Sequence, residues 1–362
     1  MNKMNLIVVF GGVSSEHDIS CISAASILRN ADAEKYTIYP VGMTKSGSWM
    51  LFESDDYDSI ENGSWETADC TVPAVLSPDR QTHGVLVLRE SGAEVIHVDC
   101  VFPVLHGIGG EDGTLQGLLE LAHIPYVGPG VAASACSMDK SLTKIVVEQE
   151  GVHQAAFYLA HRHAFRKNAE GMCEAVEAKL GNYPVFVKPC SEGSSVGVSK
   201  ASDRASLKKG LEEAFRYDAK VLVEEFIDGH EIEVAVLGNE EPTASVAGEI
   251  APSQEFYTFE AKYVDGTSGL YIPAHISEDA MMRVRDAAKR VYQALGCKGL
   301  SRVDFFCTYA DETIVFNEIN TLPGFTSISM YPKLQEYMGL SYSDLIDRLV
   351  ALAMERYDDE TN

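Results

Sequence analysis

The stretch Ser301-Arg-Val-Asp-Phe-Phe-Cys307, followed by Ile314-Val-Phe-Asn-Glu-Ile-Asn320-Thr-Leu-Pro-Gly324, decides how this chain is read. Both segments are apolar, strand-like runs carrying acidic or amide oxygens. Side chains two apart on a strand point to the same face, so Glu318 and Asn320 share one. If the two runs are neighbours in a sheet, Asp304 joins them. Three hard oxygen donors on one face suit Mg²⁺, with phosphate and water completing an octahedron. Arg302 lies two residues before Asp304, so it faces the same site and can meet an anion there. The pattern predicts a magnesium–nucleotide enzyme.

Two further segments point the same way. In Lys188-Pro-Cys-Ser-Glu-Gly-Ser-Ser-Val-Gly197 a lysine ends an apolar strand and a small-residue loop follows. The backbone N–H groups of such a loop can face an anion. Gly193 and Gly197 permit close approach and unusual dihedrals. This is not the GxxxxGK[ST] phosphate loop, because the lysine comes first. The plain alternative is a surface turn with a solvated lysine, which a strand-terminal Lys-Pro makes less attractive. Lys140, in Ser137-Met-Asp-Lys140, can support the phosphate role, although alone it is an ordinary helix-start lysine. In Glu224-Glu-Phe-Ile-Asp-Gly-His-Glu231 the strand end can offer backbone groups to an adenine edge. Phe226 or Ile227 would lie against the ring, and Glu231 would accept ribose hydroxyls. Alone, that segment reads equally well as an exposed acidic hairpin.

The 362 residues are enough for two or three domains with real cores. The formal charge of −25 argues against nucleic acid or an anionic membrane surface as partner. It leaves room for a locally basic pocket. None of the eight cysteines is spaced as CxxC, so they read as buried thiols in a reducing cytoplasm. No apolar run is long enough to span a bilayer.

The rest of the chain places these motifs. Asn5 to Phe10 reads as a buried strand, Gly11 to Asp18 as a polar loop, and Ile19 to Leu28 as a helix opening at that loop. Strands at Tyr36–Met43 and Val98–Leu105 and a helix at Thr114–Ala122 complete an α/β unit with a parallel sheet. The acidic stretch from 53 to 95 reads as a surface excursion with a hairpin. Helices at Lys140–Glu150 and Leu207–Phe215 and strands at Pro184–Pro189 and Lys220–Ile227 predict a smaller α+β unit. Ser277 caps an amphipathic helix, Glu278–Leu295, and a last helix starts at Tyr342. Gly11-Gly12 lacks the GxGxxG pattern, which disfavours a dinucleotide-binding dehydrogenase.

Six segments in this order resemble the D-alanine–D-alanine ligase family of the ATP-grasp superfamily. They are Phe10–Ser20, His106–Gly117, Met138-Asp-Lys140, the Lys188 segment, Glu255–Tyr263 and Asn317–Thr326. The resemblance runs from about residue 5 to residue 355. It implies an ATP-grasp fold, α/β and α+β. The expected parts are an N-terminal Rossmann-like α/β substrate domain (1–124), a central α+β subdomain (125–218) and a C-terminal catalytic domain (219–362) with a lid loop near 248–274.

The resemblance also implies residue roles. Lys140, Lys188 and Ser195 would hold the ATP phosphates. Glu224, Glu225, Phe226 and Ile227 would frame adenine, and Glu231 the ribose. Asp304, Glu318 and Asn320 would bind two Mg²⁺ or Mn²⁺ ions. Glu16 would receive the first D-alanine's ammonium, with His106 near its carboxylate. Arg302 and the N–H of Gly324 would form the oxyanion site, and Ser329 and Met330 would line the second D-alanine. Ser194 and Tyr263 would join Glu16 in a triad that closes the lid. A homodimer is implied as well. Some positions depart from the family pattern: Phe259 stands where many relatives have tyrosine, Glu225 where a lysine often flanks adenine, and Cys190 where another small residue is usual. Two alternatives remain. One is a ligase using D-serine, D-lactate or another acceptor; the other is a non-catalytic nucleotide-binding protein.

Overall fold

The computed structural model describes residues 3–251 and 269–361. It contains three sheets. The first has seven strands, in the spatial order Gly92–His97, Gly84–Arg89, Thr71–Leu76, Trp49–Phe52, Tyr36–Met43, Met4–Gly11, Cys100–Pro103. Met4–Gly11 pairs in parallel with both its neighbours. Leu6, Ile7, Val8, Val9 and Phe10 are all fully buried, which is why this run is continuously apolar. Helix His17–Asn30 makes the crossover from Met4–Gly11 to the parallel strand Tyr36–Met43.

The remaining four strands pair antiparallel, and the connection between Trp49–Phe52 and Thr71–Leu76 carries a one-turn helix, Tyr57–Glu61, and a 3₁₀ turn. The parallel sheet expected from the sequence is thus a three-strand core. The stretch from 53 to 95 does hold the expected hairpin, Gly84–Arg89 with Gly92–His97. It is more than a surface excursion, however. It extends the sheet, and Ala74, Leu76, Val85 and Val87 are buried. Trp65, from a short 3₁₀ turn in the same stretch, is fully buried against Phe10.

The second sheet is antiparallel, in the order Ser199–Ala201, Val185–Pro189, Lys220–Glu225, Phe157–His161. Helices Ala169–Leu180 and Arg204–Tyr217 pack on it. Strand Lys220–Glu225 is an inner strand here, as the pattern of the smaller α+β unit has it, so the sheet runs past residue 218, the boundary that the resemblance implied. The ladder hydrogen bonds of Val185–Pro189 and Phe157–His161 need that strand between them.

The third sheet has the order Gly269–Tyr271, Thr243–Ala251, Gly229–Leu237, Leu300–Thr308, Ile314–Asn320. Helix Glu278–Ala294 packs on it, its N-terminus capped by the Ser277 hydroxyl accepting from Ala280 N–H at 3.2 Å. Ala133 and Val147, from helices Val131–Met138 and Lys140–Gln149, share that core. Helices Met330–Tyr337 and Tyr342–Thr361 join the third sheet to the first. Leu6, Val8 and Phe10 lie in one apolar cluster with Leu334, Leu345 and Leu349. Arg356 reinforces this junction: it is buried, donates to the carbonyl of Gly128 at 2.6 Å and stacks on Tyr126.

Candidate active site

The first and third sheets meet the second around a cleft lined by Glu16, His106, Lys140, Ser194, Arg302, Glu318, Asn320 and Gly324. Eight residues named from the sequence are therefore brought together across some 300 positions of chain.

Strand pairing accounts for the acidic part. Leu300–Thr308 and Ile314–Asn320 are antiparallel neighbours, with Asp304 opposite Glu318 and Arg302 opposite Asn320. Asn320 donates through Nδ2 to Asp304 Oδ2 at 2.9 Å. Arg302 meets both Asp304 oxygens at 2.8 Å in a bidentate pair. Its Nε is also 3.1 Å from Glu233 Oε2. Glu233 is a buried acid on strand Gly229–Leu237, opposite Asp304, and was not singled out from the sequence. Among the described residues no three His, Cys, Asp or Glu side chains form a metal site by themselves. The donors are two carboxylates and an amide, hard oxygens that fit Mg²⁺ when phosphate supplies further ligands.

Glu16 stands at the end of the loop after Met4–Gly11, just before helix His17–Asn30. Gly11 is required at the start of that loop: its φ is +85°, and a Cβ there would lie 2.2 Å from the Met43 carbonyl oxygen. Ser194 donates a short hydrogen bond through Oγ to Glu16 Oε1. Gly193 gives clearance, since a Cβ there would come within 2.7 Å of Glu16 Oε2. The unusual dihedrals foreseen in this loop fall on Ser194 (φ +47°), Ser195 (φ +60°) and Gly197 (φ +70°), not on Gly193. Successive left-handed residues turn backbone N–H groups to one side, the form of an anion cradle. Next to Glu16, His17 is buried, its Nδ1 2.8 Å from the Gly12 carbonyl oxygen and its Nε2 3.2 Å from Glu66. The 3₁₀ turn in the 53–95 stretch thereby supports the Glu16 loop.

His106 uses both ring nitrogens within the protein. Nδ1 is 3.0 Å from the Leu322 carbonyl oxygen and Nε2 is 3.3 Å from Ser23 Oγ. A carbonyl only accepts, so Nδ1 carries the proton. Burial pushes the imidazole below its usual range, so the ring is neutral near pH 7. As placed, His106 positions the turn that carries Pro323 and Gly324. Glu111, quoted within the His106 segment but given no role from sequence, does the same. Its carboxylate accepts from Gly107 N–H at 2.8 Å and Leu322 N–H at 3.1 Å. Enclosure by protein and then the nearby Glu16 charge push its carboxyl up to about 8.

The nucleotide side is a second charge cluster. Lys140 donates to the Glu192 carbonyl at 2.8 Å and lies 3.5 Å from Glu318. Lys188 pairs with Glu224 at 2.7 Å and donates to Asn317 Oδ1 at 3.1 Å. Lys144, missed in the sequence, pairs with the other Glu224 oxygen at 2.5 Å. Burial alone would raise the Glu224 carboxyl; Lys188 and Lys144 outweigh it and hold the group at about 2. Glu225 turns away and accepts from Ala156 N–H at 2.7 Å. Phe226 is exposed and stacks near Phe186, with Lys200 over its ring. Ile227 and Glu231 are half-buried beside it.

Of the two residues given to the second D-alanine, Met330 lies in the core and Ser329 lies beside Gly324. Met330 is buried in the apolar cluster beneath Gly248, a core position rather than cleft lining, because its helix packs on strand Thr243–Ala251. Ser329 Oγ bonds to Thr326 and closes the turn after Gly324. Tyr263, Phe259 and most of the expected lid lie outside the described residues.

Comparison with known proteins agrees across the chain. Residues 5–129 match the family model "D-ala D-ala ligase N-terminus", and residues 146–351 match "D-ala D-ala ligase C-terminus". The chain is 47% identical over 356 residues to a D-alanine–D-alanine ligase of Caldicellulosiruptor bescii, covering 98% of this chain and 96% of that one. It is 48% identical over 354 residues to one from Clostridium acetobutylicum, covering 98% and 99%. Among solved structures, the VanG D-Ala:D-Ser ligase of Enterococcus faecalis superposes with a TM-score of 0.87 at 40% identity, covering 97% of this chain and all of that one. The D-alanine–D-alanine ligase of Coxiella burnetii gives 0.86 at 35% identity, covering 99% and 97%.

Proposed function

The chain belongs to the D-alanine–D-alanine ligase family, and from that premise we propose that it joins two D-alanine molecules at the expense of ATP, releasing ADP and phosphate. The observation that carries this reading is the convergence of Glu16 and Ser194 with Arg302, Glu318, Asn320 and Gly324 in one cleft.

A carboxylate is a poor electrophile, so the first D-alanine's carboxylate oxygen attacks the γ-phosphorus and ADP leaves, giving an acyl phosphate. Glu16, held by Ser194, takes the ammonium of that substrate. Lys140 and Lys188 hold the phosphates, with the N–H groups around Ser195 facing them. The polypeptide around Glu224 to Ile227 frames adenine and Glu231 takes the ribose. Asp304, Glu318 and Asn320 hold two Mg²⁺, or Mn²⁺ in its place, which would offset charge on the phosphates. The second D-alanine's amine then attacks the acyl carbon. Arg302 and the Gly324 N–H face the oxyanion, the C–O bond to phosphate breaks, and the amine's proton is lost. Ser329, beside Gly324, would line the second subsite, and Met330 would support it from the core. Tyr263 completes a triad with Glu16 and Ser194.

The product suits peptidoglycan precursor synthesis. Cytoplasmic location is consistent with eight free cysteines and with the lack, among the described residues, of a helix long and apolar enough to cross a membrane. We also assign a homodimer and a three-part division in which the strand Lys220–Glu225 stays with the central sheet. The similarity to a D-Ala:D-Ser ligase supports a second reading in which D-serine is the acceptor. Supplying ATP, Mg²⁺ and D-alanine with D-alanine, D-serine or D-lactate, and identifying products by mass, separates these. D-alanyl-D-alanine as the main product supports the proposal. A mixed product that predominates when both acceptors are equal overturns it.

A further inference from the structure

Lys144 is the least expected charge in the molecule. It is about 1% exposed and sits one helical turn after Lys140 on helix Lys140–Gln149. Its ammonium lies 2.5 Å from Glu224 Oε1 and 5.3 Å from the centre of the Phe157 ring. Lys188, 2.7 Å from Glu224 Oε2, comes from the adjacent strand. Lys188 is opposite Leu222 in that pairing, so its side chain and that of Glu224 share a face. One carboxylate is thus shared by two ammonium groups, and the trio carries one net positive charge.

The two lysines differ in access. Lys144 has 2% of its side chain exposed, whereas Lys188 has 16%. Only the second has side-chain surface open to an anion. Were Glu224 paired with Lys188 alone, the pair would be neutral and an incoming phosphate would meet a compensated cation. With Lys144 supplying the second charge, Lys188 keeps attraction to spare. In a poorly solvated site that difference is large.

We propose that Lys144 is a positioning residue of the nucleotide site: by pairing with Glu224 it frees the charge of Lys188 for a phosphate. This rests on the nucleotide reading above. A purely structural Lys144 would affect all ligands of the site alike. A charge-balancing Lys144 affects those that carry phosphate.

Calorimetric titration of the full chain with Mg-ADP and, separately, adenosine distinguishes the two. Wild type is expected to bind Mg-ADP more tightly than adenosine; absence of Mg-ADP binding by wild type would sink the nucleotide reading itself, and this inference with it. In Lys144→Met, Mg-ADP affinity should fall about tenfold or more while adenosine affinity stays within about twofold. Adding Glu224→Gln to Lys144→Met removes both buried charges and should restore the preference for Mg-ADP over adenosine to within about threefold of wild type. Should Lys144→Met fail to fold, Lys144→Gln, which keeps a donor for Glu224, carries the same expectations. An unchanged preference in the folded single variant, or equal weakening of both ligands, overturns the inference. So does a pair of substitutions that leaves the preference lost.

Discussion

Replacing Ser194 by glycine and by alanine separates its two functions. Ser194 has φ +47°, a left-handed conformation, and its hydroxyl donates to Glu16. Both variants lose the hydrogen bond, about 1–3 kcal/mol where a charged partner is left short of a donor. Only alanine keeps the left-handed strain, about 1 kcal/mol for a residue with a Cβ. Glycine removes it but restores about 0.4–1 kcal/mol of freedom to the unfolded chain. The balance favours glycine by up to about 0.6 kcal/mol, reversing the usual order at extended or helical positions. Urea unfolding of the three proteins reads this as a higher midpoint for Ser194→Gly than for Ser194→Ala. Turnover should fall in both by about a hundredfold, the scale on which a misplaced reacting group is felt. An alanine variant more stable than the glycine variant would refute the left-handed assignment. Wild-type turnover in either would refute the Glu16–Ser194 pairing as part of the reaction.

The Glu318→Ala variant should lose turnover by more than about a thousandfold yet melt close to wild type, because the side chain is 30% exposed; an active, folded variant would contradict its role as a metal ligand. Tyr263→Phe should shift acceptor use toward a hydroxy acid, and unchanged product ratios with D-alanine and D-lactate would remove Tyr263 from acceptor choice. Arg356→Met should lower stability by about 2–3 kcal/mol through loss of its charged hydrogen bonds to the buried carbonyls of Gly128 and Tyr126, measured by denaturant unfolding with activity retained at low temperature. Glu224 is held at about 2, below the 4.5 usual for a glutamate carboxyl, so the unfolded chain binds its proton first as pH falls. Its stabilisation is therefore full above about pH 4.5 and lost as pH falls toward 2, on the order of 3 kcal/mol. In the Lys144→Met/Glu224→Gln protein, the slope of stability against pH across that window should be shallower than in wild type.

The strand pair carrying Asp304 and Glu318 was legible because alternation fixes which side chains share a face, and antiparallel pairing then sets the register. The buried strand Met4–Gly11 was legible for a related reason: five successive apolar residues with β-branched members suit a strand covered on both faces. The region from 53 to 95 was harder. Its strands are short, and their outward positions, such as Val75, Leu88 and Val95, are apolar as well, so the usual in–out alternation is blurred. Charges that act through a partner were also hidden. Glu111 and Glu233 find their roles only when distant backbone or side chains arrive, at Leu322 and Arg302. Lys144 left one trace, its spacing of four from Lys140, which puts two ammonium groups on one helical face. The left-handed serines left none, because nothing in Ser-Ser announces a positive φ. Met330 misled for the opposite reason: one position from a turn serine, its side chain is directed into the core by the start of helix Met330–Tyr337.

Transfer of oxygen from substrate carboxylate to phosphate tests the acyl phosphate most directly. D-alanine labelled with ¹⁸O in both carboxylate oxygens is turned over with ATP and Mg²⁺, and the inorganic phosphate is examined by mass spectrometry. One labelled oxygen per dipeptide should appear in the phosphate, since the oxygen that attacks phosphorus leaves with it when the amine displaces it. Dipeptide formed with unlabelled phosphate would contradict the account.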